Sequence, residues 1–219
     1  MNISEKIEKY RSELPENVKL VAISKTKPKE DIMEAYEAGQ RIFGENKIQE
    51  MTDKWEVLPK DIEWHMVGHV QRNKVKYMAP FVGLIHAVDS LKLLKEINKQ
   101  AKKHERVINC LLQIKIAEED SKFGISAEEA EEILASEAYQ KMENTKVTGL
   151  MGMATFTDDE KQVSDEFQYL KEVFDKMKKS YPDLEELSMG MSGDYKLAVE
   201  NGSSMVRIGS SIFGERNYN

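Results

Sequence analysis

The chain has 219 residues, 40% of them apolar and 32% charged, with a formal net charge of −7 at pH 7. That length suffices for one large core or two small ones, and the acidic balance argues against nucleic acid or an anionic membrane as the main partner, although a local basic pocket can still hold a small anion. The single cysteine, Cys110 in "VINCLLQI", excludes a disulfide framework and a zinc site of several thiolates, and its apolar surroundings read as a buried core thiol. The opening "MNISEKIEKY" is polar and amphipathic and lacks the apolar stretch of a signal peptide. No run approaches the ~18 apolar residues of a membrane span, so the cytoplasm is the expected compartment.

In chain order, a first helix is expected over 2–14, then a strand "KLVAI" at 19–23. "KEDIMEAYEAG" reads as a helix closed by Gly39 as its C′ residue. Strands follow at "RIF" (41–43), "IEWHMV" (62–67) and "VGLIHAV" (82–88). "DSLKLLKEINKQAKK" opens on Asp and Ser and closes on lysines, as the helix dipole favours. After the strand "VINCLLQIKI" (107–116), "SAEEAEEILASEAY" carries a capping-box pattern in Ser126 and Glu129. The strand "KVTGLM" (146–151) precedes "DEFQYLKEVFDKMKKS", whose Phe167, Leu170, Phe174 and Met177 share one helical face. "ELSM" (186–189) and "MVRI" (205–208) complete eight strand candidates. Strands alternating with helices mean parallel βαβ units, and no linker or low-complexity tract divides them. The expected fold is therefore α/β, one domain over 1–219: a (β/α)8 TIM barrel with an extra N-terminal helix, compact against the ~250-residue norm. An open doubly wound sheet is the alternative.

In such a barrel, chemistry gathers at the C-terminal strand ends and an anion site follows strands seven and eight. Those last two ends read "MGMSGD", with Ser192 and Gly193, and "RIGSSIFG", with Gly209 and Ser210. Small residues let backbone amides approach a phosphate, and hydroxyls add donors. Lys25 ends the first strand inside "LVAISKTKP". Two readings of it stand: a lysine snorkelling to solvent at the rim, or a desolvated amine with lowered pKa, suited to a Schiff base. A Schiff-base lysine beside a phosphate site fits pyridoxal phosphate (PLP), and equally a phosphosugar in an aldolase. Arg207, within the eighth strand, is either half of an interior ion pair or a donor to the phosphate or to a ring nitrogen. At a pyridine nitrogen it would keep that atom unprotonated and weaken the ring as an electron sink.

"AISKTKP", "FGEN-x-x-QE", "WH-x-x-G-x-x-Q-x-NK", "SKFG", "GLM-M", "LSMGMS-D" and "VRIGSSIFG", in order from residue 22 to residue 214, resemble the pyridoxal-phosphate homeostasis proteins, single-domain relatives of the alanine racemase N-terminal barrel. The resemblance implies PLP bound at the barrel mouth as an internal aldimine on Lys25. It places Arg207 at the pyridine nitrogen, Ser192, Gly209 and Ser210 on the phosphate, and Asn46 and Met151 along the ring. Met66, His69 and Val70 depart mildly from the pattern and leave the pocket edge open. His65 either stacks by the ring or orients Arg207, or it is a packed strand histidine. His65 and His69 stand i, i+4, but Gly68 and the strand context spoil the helical face a metal pair uses, so no metal is expected. His86 and Asp89 read as strand-end and helix-capping residues, and His104 as surface. Lys27 and Lys122 are either solvated or sites of a second, weaker aldimine.

Racemisation needs a proton acceptor on one face and a donor on the other. The racemases resembled here take their second base, a tyrosine, from a further β domain of a partner subunit, and of eight tyrosines only Tyr195 falls near a strand end. The resemblance therefore implies a PLP-binding protein acting in intracellular PLP homeostasis and amino/keto acid balance without robust catalysis, with PLP-dependent enzymes as clients. The expected state is a monomer. A PLP-dependent racemase or decarboxylase of low activity is the alternative.

Overall fold

A computed structural model describes residues 1–119 and 123–215, so Lys122 lies outside the described residues. Eight parallel strands close into a barrel in chain order: β1 (Lys19–Ile23), β2 (Ile42–Glu45), β3 (Glu63–Met66), β4 (Leu84–Val88), β5 (Ile108–Gln113), β6 (Thr145–Met151), β7 (Glu186–Met191) and β8 (Met205–Ile208). β8 pairs back onto β1 through Met205–Lys19 to Ile208–Ala22. The helices are α1 (Ile3–Glu13), α2 (Lys29–Glu37), α3 (Ile48–Val57), α4 (Val75–Met78), α5 (Leu91–Lys103), α6 (Ala127–Ala135), α7 (Glu137–Gln140), α8 (Glu160–Lys178), α9 (Tyr195–Glu200) and α10 (Ser210–Phe213). This is the expected (β/α)8 barrel with its extra N-terminal helix.

Local chemistry sets the helix ends. α2 stops where Gly39 takes φ +89°. Ser126 and Glu129 close the expected capping box on α6, and Asn2 with Glu5 closes another on α1. On α5 the cap is Ser90, whose hydroxyl accepts from the Leu93 amide, and not Asp89. α8 starts before the expected Asp165, because Asp159 accepts from the Lys161 and Gln162 amides and caps it there. β2 runs on through Gly44 and Glu45, paired with His65 and Met66. β5 ends at Gln113, three residues early, and Ile114 bridges to Ile125 instead.

Strand periodicity divides the core in two. Leu20, Ala22, Phe43, Trp64, Ile85, Cys110 and Leu112 face outward and pack with Ile32, Met51, Ile97 and Phe167 of the helices. Burying each large side chain there contributes roughly 1.5–3 kcal/mol. Cys110 belongs to this layer, and burial pushes its thiol up to about 12. Val21, Ile23, Leu84, Leu111, Met151 and Met205 face inward and fill the barrel. Lys25 continues that inward parity two residues past Ile23.

Candidate functional site

The C-terminal strand ends enclose a cleft of about 600 Å³. Lys25, Asn46, Ser192, Arg207, Gly209 and Ser210 all line it, so six of the eight expected site residues meet in one place. The other two lie below it. Met151 is completely buried inside the barrel, and Met153, two residues on, lines the cleft in its stead. His65 is buried too and reaches no cleft wall. Its ring nitrogens bond His86 Nε2 and Glu63 Oε1, each at 2.9 Å, so it does not stack in the cleft and reaches Arg207 only through His86 and Ser188. His69 does line the cleft, stacked on Phe123 of the same wall with ring centroids 4.8 Å apart, whereas His65 does not, so the two histidines share no site.

The turn that carries Lys25 is clamped from behind. Lys27 N–H closes it onto Ser24 O at 3.0 Å, and Thr26, at φ +64°, donates its amide to Glu50 Oε1 at 2.6 Å. Lys54 Nζ donates to Ser24 O, to Glu45 Oε1 and to Glu50 Oε1 at 2.7–2.8 Å. A left-handed Thr is strained, and it persists because these bonds over-determine it. Lys27 also lines the cleft, with its Nζ donating to Glu215 O at 2.9 Å.

Across the cleft, a bulge in β7 between Ser188 and Met191, with Gly190 at φ +100°, re-aims Met191 and Ser192 toward the mouth. Asp194 Oδ1 accepts the Met191 amide at 2.6 Å and holds the turn. Gly209 N–H donates to Ser192 Oγ at 3.3 Å, so the β7 and β8 loops form one wall. Among the described residues a Cβ on Gly193 would meet nothing within 4 Å, which leaves space beside that wall. Arg207 sits at the floor, 4% exposed, donating through Nη1 to Ser188 Oγ at 2.5 Å and through Nη2 to Gly152 O at 3.1 Å. Burial lowers its pKa to about 10, which leaves the guanidinium charged at neutral pH.

The family model for the alanine racemase N-terminal domain matches residues 1–217. The pyridoxal phosphate homeostasis protein of Aquifex aeolicus is 40% identical over 202 residues, covering 91% of this chain and 88% of the relative. The chain belongs to the pyridoxal phosphate homeostasis protein family. The structure of the family member PipY from Synechococcus elongatus, with PLP bound, is 33% identical, with a TM-score of 0.86 over 97% of this chain and all of that one. The alanine racemase of Clostridium difficile 630 shares the fold at 13% identity, TM-score 0.79, and this chain covers 58% of it.

Within this family member, two groups of residues escaped the sequence reading. The first is the clamp Glu45–Lys54–Glu50, which looks in sequence like ordinary charged helix surface. The second is the interior polar set Glu63, His86 and Ser188 that joins His65 to Arg207. Period-two counting along β4 and β7 puts His86 and Ser188 on the inward face.

Proposed function

We propose that this chain holds PLP at the barrel mouth and serves intracellular PLP homeostasis, and through it amino/keto acid balance. The observation that carries the reading is the convergence of Lys25, buried Arg207 and the Ser192–Gly209 wall on one cleft of about 600 Å³. The residues fit that group. Gly193 leaves room for a phosphate beside the hydroxyls of Ser192 and Ser210, and Met153 and Val67 offer apolar cover for a planar ring. When bound, PLP contributes an aldehyde that condenses reversibly with a lysine amine and releases water. Lys25 supplies that amine, on a turn held still by Lys54 and Glu50. Ser192, Gly209 and Ser210 orient the phosphate, Asn46 lines the ring, and Arg207 donates to the pyridine nitrogen. Lys27, bonded to Glu215 O, is not the anchor.

The reading favours a carrier over a racemase. Tyr195 donates its hydroxyl to Glu13 Oε2 at 2.8 Å and packs edge-on against Tyr10. Burial first, then the bond to Glu13, pushes its pKa up, so it is a poor proton acceptor. PLP-dependent enzymes are the proposed clients, and the cytoplasm the proposed compartment. Among the described residues, no helix is long and apolar enough to cross a membrane.

The test is the visible spectrum of the purified protein with PLP, followed by borohydride reduction and mapping of the modified lysine by mass spectrometry. We expect a yellow protein with the adduct on Lys25, lost in Lys25→Ala and kept in Lys27→Ala. A protein that stays colourless and unmodified would overturn the reading.

A further inference from the structure

A continuous chain of hydrogen bonds crosses the barrel interior from the cleft floor to the opposite end. Arg207 Nη1 meets Ser188 Oγ at 2.5 Å, Ser188 Oγ meets His86 Nδ1 at 2.9 Å, His86 Nε2 meets His65 Nδ1 at 2.9 Å, and His65 Nε2 meets Glu63 Oε1 at 2.9 Å. Ser188, His86 and His65 are at most 1% exposed, whereas the Glu63 side chain is 53% exposed at the start of β3.

The Glu63 end sets the direction. A carboxylate only accepts, so His65 Nε2 carries the proton, and in the neutral ring Nδ1 accepts from His86 Nε2–H. Neutral His86 then accepts the proton of Ser188 Oγ on its Nδ1, and the lone pairs of that hydroxyl are left for Arg207, because a guanidinium only donates. Burial, then the neighbouring His65 and Arg207, hold His86 well below the usual histidine range, so it stays neutral. The bond to His65 holds the Glu63 carboxyl below its usual range, which keeps it an acceptor.

We propose that Ser188, His86, His65 and Glu63 form a one-way hydrogen-bond relay that holds the Arg207 guanidinium in one place at the cleft floor, making Ser188 and His86 positioning residues for the pyridine nitrogen of PLP; this rests on the cofactor reading above. The relay does not conduct. Its last member is an arginine, which does not release a proton in the working pH range, so the chain can orient charge but not deliver protons. What it transmits is polarity: each link polarises the next in a low-dielectric interior, and the Glu63 charge acts on a guanidinium at the other end of the barrel.

The test compares wild type, Ser188→Ala and Glu63→Gln for binding of two probes: PLP, and its analogue with C–H in place of the ring nitrogen. Losing one such bond predicts about tenfold weaker PLP binding in Ser188→Ala, and losing only the end charge about threefold in Glu63→Gln. For the analogue both variants are expected to match wild type within about twofold, since no ring nitrogen remains to be served. Equal losses for both probes, or no loss for either, overturn the positioning role. If Ser188→Ala does not fold, Glu63→Gln, changed at a half-exposed site, decides alone. A wild type that binds neither probe overturns the cofactor reading itself. The relay is then judged without any ligand, by 15N NMR of histidine-labelled protein. Nε2–H tautomers on both His65 and His86, becoming mixed in Glu63→Gln, are expected. A protonated Nδ1 on His86 in wild type overturns the relay.

Discussion

Glu45 is the residue whose replacement tests the physical account most sharply. It is completely buried behind the Lys25 turn. Ser24 Oγ–H and Lys54 Nζ both bond Oε1, at 2.6 and 2.7 Å, while Oε2 has no hydrogen-bond partner among the described residues. Those two bonds and the Lys54 charge favour the carboxylate, but burial with a bare Oε2 outweighs them, raising the pKa from 4.5 to about 7. The folded chain thus binds this proton more tightly than the unfolded chain does. Raising the pH from 4.5 to about 7 therefore removes stability, and that displacement corresponds to about 3 kcal/mol. Glu45→Gln imitates the protonated form and has no such window. The assay is urea unfolding followed by tryptophan fluorescence at pH 5 and pH 8, for both proteins; differencing them cancels every other titrating group. The variant is expected to match wild type near pH 5 and to exceed it by ~2–3 kcal/mol at pH 8, or roughly 5–10 °C in Tm for a chain of this size. A variant less stable than wild type by the same amount at both pH values would show that the Lys54 pair, not burial, governs this carboxylate.

Glycine substitutions separate the phosphate wall from the scaffold. Gly193→Ala is expected to leave Tm within about 2 °C, because its Cβ meets nothing within 4 Å, while weakening PLP binding severalfold in a fluorescence titration. Gly149→Ala is the contrasting control: its Cβ would fall 1.8 Å from Glu186 O across the β6–β7 pairing, so circular dichroism should show a chain that fails to fold or melts far lower. Tyr195→Phe removes the bond to Glu13 and is expected to cost about 1 kcal/mol in urea unfolding with PLP affinity unchanged. A loss of PLP affinity in that variant would place Tyr195 in the cofactor's machinery after all.

Much of this protein was determined by its sequence alone. Alternation of short β-rich runs with capped helices sufficed for the barrel, because each strand's period of two and each helix's period of 3.6 is a local property. Period two along β1 puts Lys25 on the face of Val21 and Ile23, and the loops after β7 and β8 announced themselves by Ser192, Gly193, Gly209 and Ser210. Height within the barrel was not legible in this way. Strands tilt and stagger as the sheet closes, so two inward residues on different strands share a level only as the closed register dictates. That is why Met153, not Met151, reaches the cleft, and why His65 lies beneath it. Bulges between Cys110 and Leu111 and between Ser188 and Met191 shift the count again. The polar chain from Glu63 to Arg207 joins β3, β4, β7 and β8, and the clamp on the Lys25 turn joins β1, β2 and α3. Each of their residues is ordinary within its own segment. Only closure of the barrel brings them within hydrogen-bond distance, and a bond of that range is decided by tertiary placement.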